Sequence, residues 1–269
     1  MNPKPGDTDQ RVTFETDRLV TFGNPKVLKS RGVNVFSGVV HMLPSREYDR
    51  LRVALGWAPL GVNACPFAGT CRRVCLNTAG RGGIPMASYA AGPFRNNVEF
   101  GRFRRSHLYY TNPARFEQLL CRDIGRLAAS AAAEGMTPAV RLNGTSDIDY
   151  AVSMPGVIEH AKAAGVRVYD YTKRPPGSPG GPVHLTYSVD VSHARVRQAE
   201  DYMRRGGTAA VVFATRKGAP LPATWRGFPV IDGDLTDARF LDPVGVVVGL
   251  RAKGHARGSA GFVYPDTAT

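Results

Sequence analysis

Apolar and polar residues alternate in blocks along the second half of the chain, and these blocks predict short strands and helices. About six apolar runs rich in Val occur, beginning with "AVRLNG" and ending with "VGVVVGLRAKG". Each run stops at a polar cluster, and helical stretches such as "PGVIEHAKAAG" lie between several of them. Continuous apolar runs are typical of strands buried on both faces, so the pattern predicts βα units with parallel pairing.

The clearest helix is predicted over "PARFEQLLCRDIGRLAASAAAEG". Its apolar residues recur at helical spacing through Phe116, Leu119 and Ile124. Pro113 is suited to a first helical turn, and Gly135 is suited to a helix end. Closer to the N-terminus, "VNVFSGVV" predicts a strand and "REYDRLRVAL" predicts a short helix.

These elements predict a single α/β domain over residues 1–269. We divide it into an N-terminal extension with the first strand (1–60), a cysteine loop (61–94) and a set of βα units (111–269). The strands after the long helix are fewer than the eight of a closed barrel, so a partial or irregular (β/α) barrel is the first expectation. A doubly wound sheet is the alternative.

Composition places the chain among globular proteins, with 269 residues of which 43% are hydrophobic and 21% charged. No apolar run approaches the roughly 20 residues that span a bilayer. The start, "MNPKPGDTDQ", lacks the apolar segment of a secretory signal. We therefore expect a cytoplasmic protein without a membrane partner.

Basic residues exceed acidic ones, and this excess changes the expected partner. Thirty-five Lys and Arg against 22 Asp and Glu give a formal net charge of +13. Such a surplus favours polyanions, nucleic acid above all, through phosphate contacts. A genome rich in G and C explains the preference for Arg over Lys, but it does not explain the surplus over acids.

Three of the four cysteines lie close together in "CPFAGTCRRVC", as Cys65, Cys71 and Cys75. A cytoplasmic chain does not use such a cluster as a disulfide framework, so metal binding or thiol redox chemistry is expected. Structural zinc usually takes two pairs of ligands, and no second pair is present. Three thiolates suit a [4Fe–4S] cluster that keeps one iron open. Cys121 fits the apolar stripe of the long helix, which predicts a small buried side chain.

Arginines surround the cysteines in the sequence. Arg72, Arg73 and Arg81 lie within the loop and could offset the negative charge of a cluster. Further along, "FRNNVEFGRFRRSHLYY" interleaves aromatic residues with basic ones, a combination that contacts phosphates and stacks on bases. The alternative is an amphipathic helix with its aromatic residues in the core and its arginines in water. The nucleic-acid candidates are Arg72, Arg73, Arg81, Arg102, Arg104 and Arg105.

Polar side chains follow the predicted strands at their carboxyl ends, where parallel sheets carry ligand sites. These ligand-binding candidates are Asn143, Asp147, Asp170, Lys173, Ser188, Asp232, Asp234, Arg251 and Lys253. Asp170 and Lys173 can serve one pocket only if their strand ends before Lys173. Turn and helix-cap roles are the structural alternative. The acids of "DGDLTD" would suit Mg²⁺.

Two resemblances add to this picture. The order of a strand, a cysteine triplet and repeated βα units resembles the radical S-adenosylmethionine enzymes, although the spacing of five and three residues differs from their usual three and two. Longer blocks, including "CPFAGTCRRVCLNTAGRGG", "VRLNGTSDIDY" and "VIDGDLTDARFLDP", resemble an uncharacterised family of phage proteins often labelled gene product 88. The first resemblance implies S-adenosylmethionine on the open iron. The second implies a protein acting in the cytoplasm of the host cell, with a host protein as a further partner.

Three functional hypotheses follow. The first is an iron–sulfur protein on a radical-SAM-like scaffold that acts on a nucleotide or nucleic acid. The second is a non-catalytic iron–sulfur protein that binds DNA. The third is a Mg²⁺-dependent nuclease whose cysteines hold a structural metal.

Overall fold

A nine-stranded, mostly parallel sheet forms the centre of the molecule. The computed structural model describes residues 14, 16–23, 28–253, 256 and 261–264. The strands lie in the order β1-β2-β3-β4-β5-β6-β9-β8-β7. Their bounds are β1 Val20–Thr21, β2 Val35–Val40, β3 Thr137–Arg141, β4 Arg167–Thr172, β5 His184–Ser188, β6 Thr208–Phe213, β7 Thr224–Trp225, β8 Phe228–Asp232 and β9 Val247–Arg251.

The parallel pairing predicted from the Val-rich runs is confirmed. Strands β2 to β6 pair with one another in chain order and all run parallel, and β9 and β8 continue the parallel set. Among the described strands, only the edge strands β1 and β7 pair antiparallel. All six strands predicted after the long helix are present, whereas β7 was missed because a two-residue strand has no periodicity.

Six α-helices accompany the sheet in the part of the chain that the structure describes. They are α1 Glu47–Ala54, α2 Asn97–Thr111, α3 Pro113–Ala133, α4 Tyr150–Ser153, α5 Pro155–Ala163 and α6 His193–Arg204. The predicted long helix is α3, and Gly135 follows it with a φ of +65° that favours glycine. None of the described helices is long and apolar enough to cross a membrane.

The principal helices α3, α5 and α6 cover the same face of the sheet. Residues paired across parallel strands point the same way, and the register aligns Val140 with Val168 and Tyr187 with Ala209. Val140 and Val168 pack with α3 and α5 in one buried cluster. Tyr187 and Ala209 pack with α6 in a second cluster. Strands β2 to β6 follow in chain order, and the helices that connect them lie on one side of the sheet. The other face of the sheet is therefore covered by other elements.

The connection between β8 and β9 covers that other face. It includes a short 3₁₀ helix, Arg239–Leu241. Ala238 and Phe240 of this connection pack against Tyr169 and its neighbours Val35 and Ala139. Arg239 is completely buried and pairs with Asp242 at 3.3 Å. The carboxyl ends of β2 to β6 meet at a single edge, and that edge positions the candidate site.

Candidate functional site

The cysteine loop lies over the carboxyl edge of the parallel strands. Cys65 begins the loop, and its Sγ lies 3.9 Å from the carbonyl oxygen of Thr145, in the segment that follows β3. The preceding residue, Ala64, accepts a hydrogen bond from the amide of Asp147 at 2.8 Å and donates one to the Ser45 carbonyl at 2.9 Å. These bonds fix the start of the loop beside the end of β3.

Cys71 lies over the ends of β4 and β5. It belongs to a 3₁₀ helix, Gly69–Val74, and packs with Val74 against Phe262 and its neighbours. The charges of Lys173 and Asp190 both act on the pKa of its thiol. Lys173 directly follows β4 and Asp190 lies two residues after β5, so the sheet edge supplies the immediate surroundings of this cysteine.

Cys75 is held by the next turn and by α2. The amide of Asn77 approaches its Sγ to 3.5 Å. Nη1 of Arg102 donates to both the backbone oxygen and Oδ1 of Asn77, each at 2.6 Å. The loop folds back tightly here, because a Cβ on Gly83 would lie 2.0 Å from the Thr78 carbonyl oxygen. Glycine is therefore required at this position for steric reasons.

Burial keeps the three thiols protonated in the absence of metal. Loss of solvation raises the pKa of Cys65 to about 12 and that of Cys75 to about 11. The thiols of Cys71 and Cys75 add to the rise at Cys65, so the three sulfurs lie within electrostatic range of one another. Neutral thiols are poor nucleophiles, which disfavours free thiol redox chemistry. Among the described residues, no three His, Cys, Asp or Glu side chains are already arranged around a metal position.

Five of the predicted ligand-binding residues meet in one network at this edge. Asn143 donates its backbone N–H and its side-chain Nδ2 to the carboxylate of Asp170, at 2.8 and 3.0 Å. Asp147 accepts hydrogen bonds from Thr172 Oγ1 at 2.8 Å and from the Lys173 amide at 2.9 Å. The loop after β3 is therefore fastened to the end of β4.

Lys173 completes the network and points toward the cysteine loop. Strand β4 ends at Thr172, so the condition for Asp170 and Lys173 to serve one pocket is met. Nζ of Lys173 donates to the backbone oxygen of Ser188 at 2.9 Å and to its Oγ at 3.2 Å. Lys173 is only 6% exposed, and burial lowers its pKa. A buried ammonium beside Cys71 suits an anionic ligand.

Arg195 of α6 links the loop to the sheet, and this role was not predicted from the sequence. Its guanidinium donates to the carbonyl oxygens of Phe67 and Lys173. It also pairs with Asp190 at 3.2 Å. Within "ARVRQAEDYMRR" several arginines occur, and nothing in the spacing distinguishes this one. The Asp190 carboxylate just before the helix was the available signal.

The remaining four candidates form a separate cluster at β8 and β9. Nη1 of Arg251 lies 2.9 Å from Asp232 and 3.1 Å from Asp234, and Lys253 Nζ lies 2.6 Å from Asp234. Among the described residues, no hydrogen bond or ion pair joins this cluster to the five-residue network. The side chains of Arg251 and Lys253 already neutralise the two acids, which favours a structural role over Mg²⁺ binding.

The basic candidates separate into two groups. Arg72, Arg73 and Arg81 are exposed on the outside of the cysteine loop. Arg102 of α2 is buried and Arg104 and Arg105 are half-buried, whereas the amphipathic-helix alternative placed all three in water. The aromatic part of that alternative holds, since Phe94 and Phe103 pack in a core cluster with Tyr48. These buried rings are not available for stacking on bases.

The comparisons with known proteins identify a family for this chain but no individual relative. No curated protein matches the chain, and no solved structure matches it either. The model of one family, described as Gene product 88, matches residues 19–266. This match includes the cysteine loop, every described strand and both polar clusters. The chain therefore belongs to the Gene product 88 family.

Proposed function

We propose that this protein is an iron–sulfur protein in which Cys65, Cys71 and Cys75 hold a [4Fe–4S] cluster with one open iron. The open iron would bind S-adenosylmethionine or the substrate directly, and the substrate would be a nucleotide or a nucleic acid. One observation carries the proposal: three thiols of one loop lie near one another over the carboxyl edge of a parallel sheet. That edge is where α/β folds place their ligands.

The donor set fits such a cluster. Thiolates are the usual ligands of iron–sulfur clusters, and nearby positive charge and hydrogen bonds tune them. Arg102 lies close enough to Cys75 for the two charges to act on each other's pKa. Binding to iron would deprotonate the thiols. The free energy of coordination would offset the cost of forming thiolates in a buried position. The three thiols must move closer together when the cluster binds. They are carried by short 3₁₀ turns, and no long helix is present in the loop to resist this movement.

The winding of the sheet supports the partial-barrel hypothesis. Strands β2 to β6 follow in chain order with α3, α5 and α6 on one face, as in a (β/α) barrel. A radical-SAM-like scaffold would have the same winding and the same position for its cysteine loop. A phage protein with this chemistry would act in the cytoplasm of the host cell.

The chain's own residues would bind and orient the ligand. Lys173 supplies a buried positive charge beside Cys71, and Asp147 and Asp170 fix the loop and strand that carry it. The cluster, when bound, would supply a ligand-binding iron and an electron. The exposed fraction of Lys173 is 6%, so water is largely excluded from its ammonium group.

Metal analysis of anaerobically purified protein tests the proposal. We expect a brown protein with broad visible absorbance and about four iron and four sulfide per chain. Alanine at Cys65, Cys71 or Cys75 should each remove most of the iron. Cys121→Ala is the matched control, since Cys121 lies in α3 and packs against the core there. It should keep the full iron content.

Two results would contradict the proposal. A colourless protein loaded with zinc would exclude the cluster. Iron retained equally in all four cysteine variants would exclude the assigned ligands. A protein with a full complement of iron and sulfide that does not cleave S-adenosylmethionine under reducing conditions would support the cluster and contradict the radical reaction.

A non-catalytic DNA-binding protein is the second candidate, and the exposed side of the loop favours it. Arg72, Arg73 and Arg81 point outward from the same segment that carries the cysteines. In this case the cluster would hold a basic loop in shape or act as a sensor. A host protein could be the partner of the same surface.

A further inference from the structure

Two arginines of α2, Arg102 and Arg105, contact the cysteine loop and the sheet edge, and Arg104 lies beside Arg105 on the same helix. We name Arg102, Arg104 and Arg105 the arginine triad. Arg102 is 8% exposed and holds Asn77. Arg105 donates from Nε to the carbonyl oxygen of His41 at 2.7 Å, just past the end of β2. Arg104 is half-buried, with its guanidinium 5.9 Å from the centre of the Phe100 ring.

The triad has no carboxylate partner in the part of the chain that the structure describes. No Asp or Glu oxygen there lies within 4.0 Å of its guanidinium nitrogens. The nearby acid, Glu99, pairs instead with Arg50 at 3.4 Å and with Arg95 at 4.0 Å. Nε of Arg102 and Nε of Arg104 are buried without a described hydrogen-bond partner. Burial of like charges without an anion is costly, so an anion is the missing partner.

Electrostatics agree with the geometry. Burial, with the charges of Arg102 and Arg104, lowers the pKa of Arg105 to about 10. An arginine normally stays fully charged far above that value. Arg105 therefore lies in a poorly solvated position close to two further positive charges.

Two members of the triad, Arg102 and Arg105, connect the surroundings of Cys75 with those of Cys65. Arg102 acts on the Cys75 thiol, as described above. Arg105 holds His41, and His41 packs so closely on Gly144 that a Cβ there would lie 2.7 Å from its ring. The next residue, Thr145, contacts the Cys65 sulfur through its carbonyl oxygen. Contacts thus lead from Arg102 to Cys75 and from Arg105 to Cys65.

We propose that the arginine triad binds the phosphate group of a small ligand beside the three cysteines. Three guanidinium groups match a dianionic phosphate better than a single carboxylate, and arginine forms paired hydrogen bonds to phosphate oxygens. Arg102 is buried and Arg104 and Arg105 are half-buried, which suits a small molecule and not the backbone of a long nucleic acid. The inference rests on the proposed function for the position of the ligand, and it names the substrate class as a phosphorylated small molecule.

Calorimetric titration with inorganic phosphate tests this inference. The titrations use anaerobically purified protein, with and without its metal, at constant ionic strength held by KCl. We expect saturable binding in both forms and about tenfold weaker binding by Arg104→Gln. Arg104 donates no hydrogen bond to a described residue, so this variant should fold. Arg105→Gln is a second test variant. Arg115→Gln, on the exposed side of α3, is the matched control and should bind phosphate like the parent.

Three outcomes would overturn the inference. The first is no saturable binding, or equal binding by Arg104→Gln and Arg115→Gln. The second is phosphate binding by the metal-free form alone. That result would show that the triad neutralises the negative charge of the cluster and does not bind a separate phosphate. The third is acetate binding as tight as phosphate binding, which would make the ligand a carboxylate. A zinc-loaded protein that binds phosphate through the triad would contradict only the proposed function, and a brown protein without phosphate binding would contradict only this inference.

Discussion

Asp170 shows how burial and hydrogen bonding compete at a single residue. Its carboxylate accepts two hydrogen bonds from Asn143 and lies 3.9 Å from Nε of Arg141. Both contacts favour the charged form. Burial opposes them more strongly and raises the pKa of Asp170 to about 7. The sequence signalled Asp170 as a candidate, and Arg141, a charged residue ending the apolar run "AVR", was the overlooked partner.

Stability should therefore depend on pH through Asp170. The folded protein holds this proton more tightly than the unfolded chain, whose carboxyl group has an ordinary pKa. The stabilisation is complete below about pH 4 and is lost as pH rises toward 7. Relative to Asp170→Asn, the parent should lose roughly 2–4 kcal/mol of unfolding free energy across this window. Urea unfolding at several pH values measures it, and parallel curves for the two proteins would contradict the assignment.

At the scale of elements, Arg195 joins the cysteine loop to two strand ends through a helix. It contacts Phe67 in the loop, Lys173 after β4 and Asp190 after β5. Its side chain is 18% exposed, so these contacts are poorly screened. The 3₁₀ helix Gly69–Val74 contains no buried residue of its own, which makes the loop dependent on such external contacts.

Removal of Arg195 should loosen the loop without unfolding the sheet. Arg195→Ala leaves two carbonyl groups and the Asp190 carboxylate without this donor, at a cost of about 1–3 kcal/mol. We expect faster amide hydrogen exchange over residues 67–75 and unchanged protection in β3 and β6. Arg197→Ala is the matched control, because Arg197 is exposed on the same helix. Equal exchange in the two variants would show that the loop does not depend on Arg195.

At the scale of the whole molecule, the positive charge is divided between the exterior and the interior. The net charge of +13 includes exposed arginines on the cysteine loop and buried or half-buried arginines on α2. Of these two sets, the exposed one on the cysteine loop is the one that a long polyanion can reach. Binding to duplex DNA, if it occurs, should therefore be governed by Arg72, Arg73 and Arg81.

The salt dependence of DNA binding tests this division. The triple variant Arg72→Gln, Arg73→Gln, Arg81→Gln should lower the slope of log affinity against log salt by up to about 2.7, since each phosphate contact contributes about 0.9. Fluorescence anisotropy with a labelled duplex between about 50 and 200 mM KCl gives the slope. A control with Arg115, Arg197 and Arg205 changed to Gln removes the same charge from other exposed sites. Equal slopes in the two triple variants would place any DNA contact elsewhere.

The periodic parts of the chain were readable from the sequence. The Val-rich runs predicted β3, β4, β5, β6, β8 and β9 and their parallel pairing, because strands buried on both faces need continuous apolar residues. Pro113 and Gly135 marked the ends of α3. The short edge strands and the 3₁₀ turns were not predicted, since two to six residues are too few to establish a period.

The residue types of the candidate site were predictable from the sequence, but the grouping of those residues in space was predictable only in part. Asn143, Asp147, Asp170, Lys173 and Ser188 do meet, because parallel strands bring their carboxyl ends to one edge. Asp232, Asp234, Arg251 and Lys253 pair among themselves instead. The sequence alone could not separate the two groups, since the order of strands across the sheet places β9 between β6 and β8.

The sequence by itself determined the fold class, the family and the identity of the three clustered cysteines, because these depend on local patterns of residues. Only the tertiary structure decided which charges face inward. The arginine triad and Arg195 look like any other arginines in the sequence. Their burial depends on contacts between residues far apart in the chain, such as Arg195 with Phe67, and no local pattern encodes such contacts.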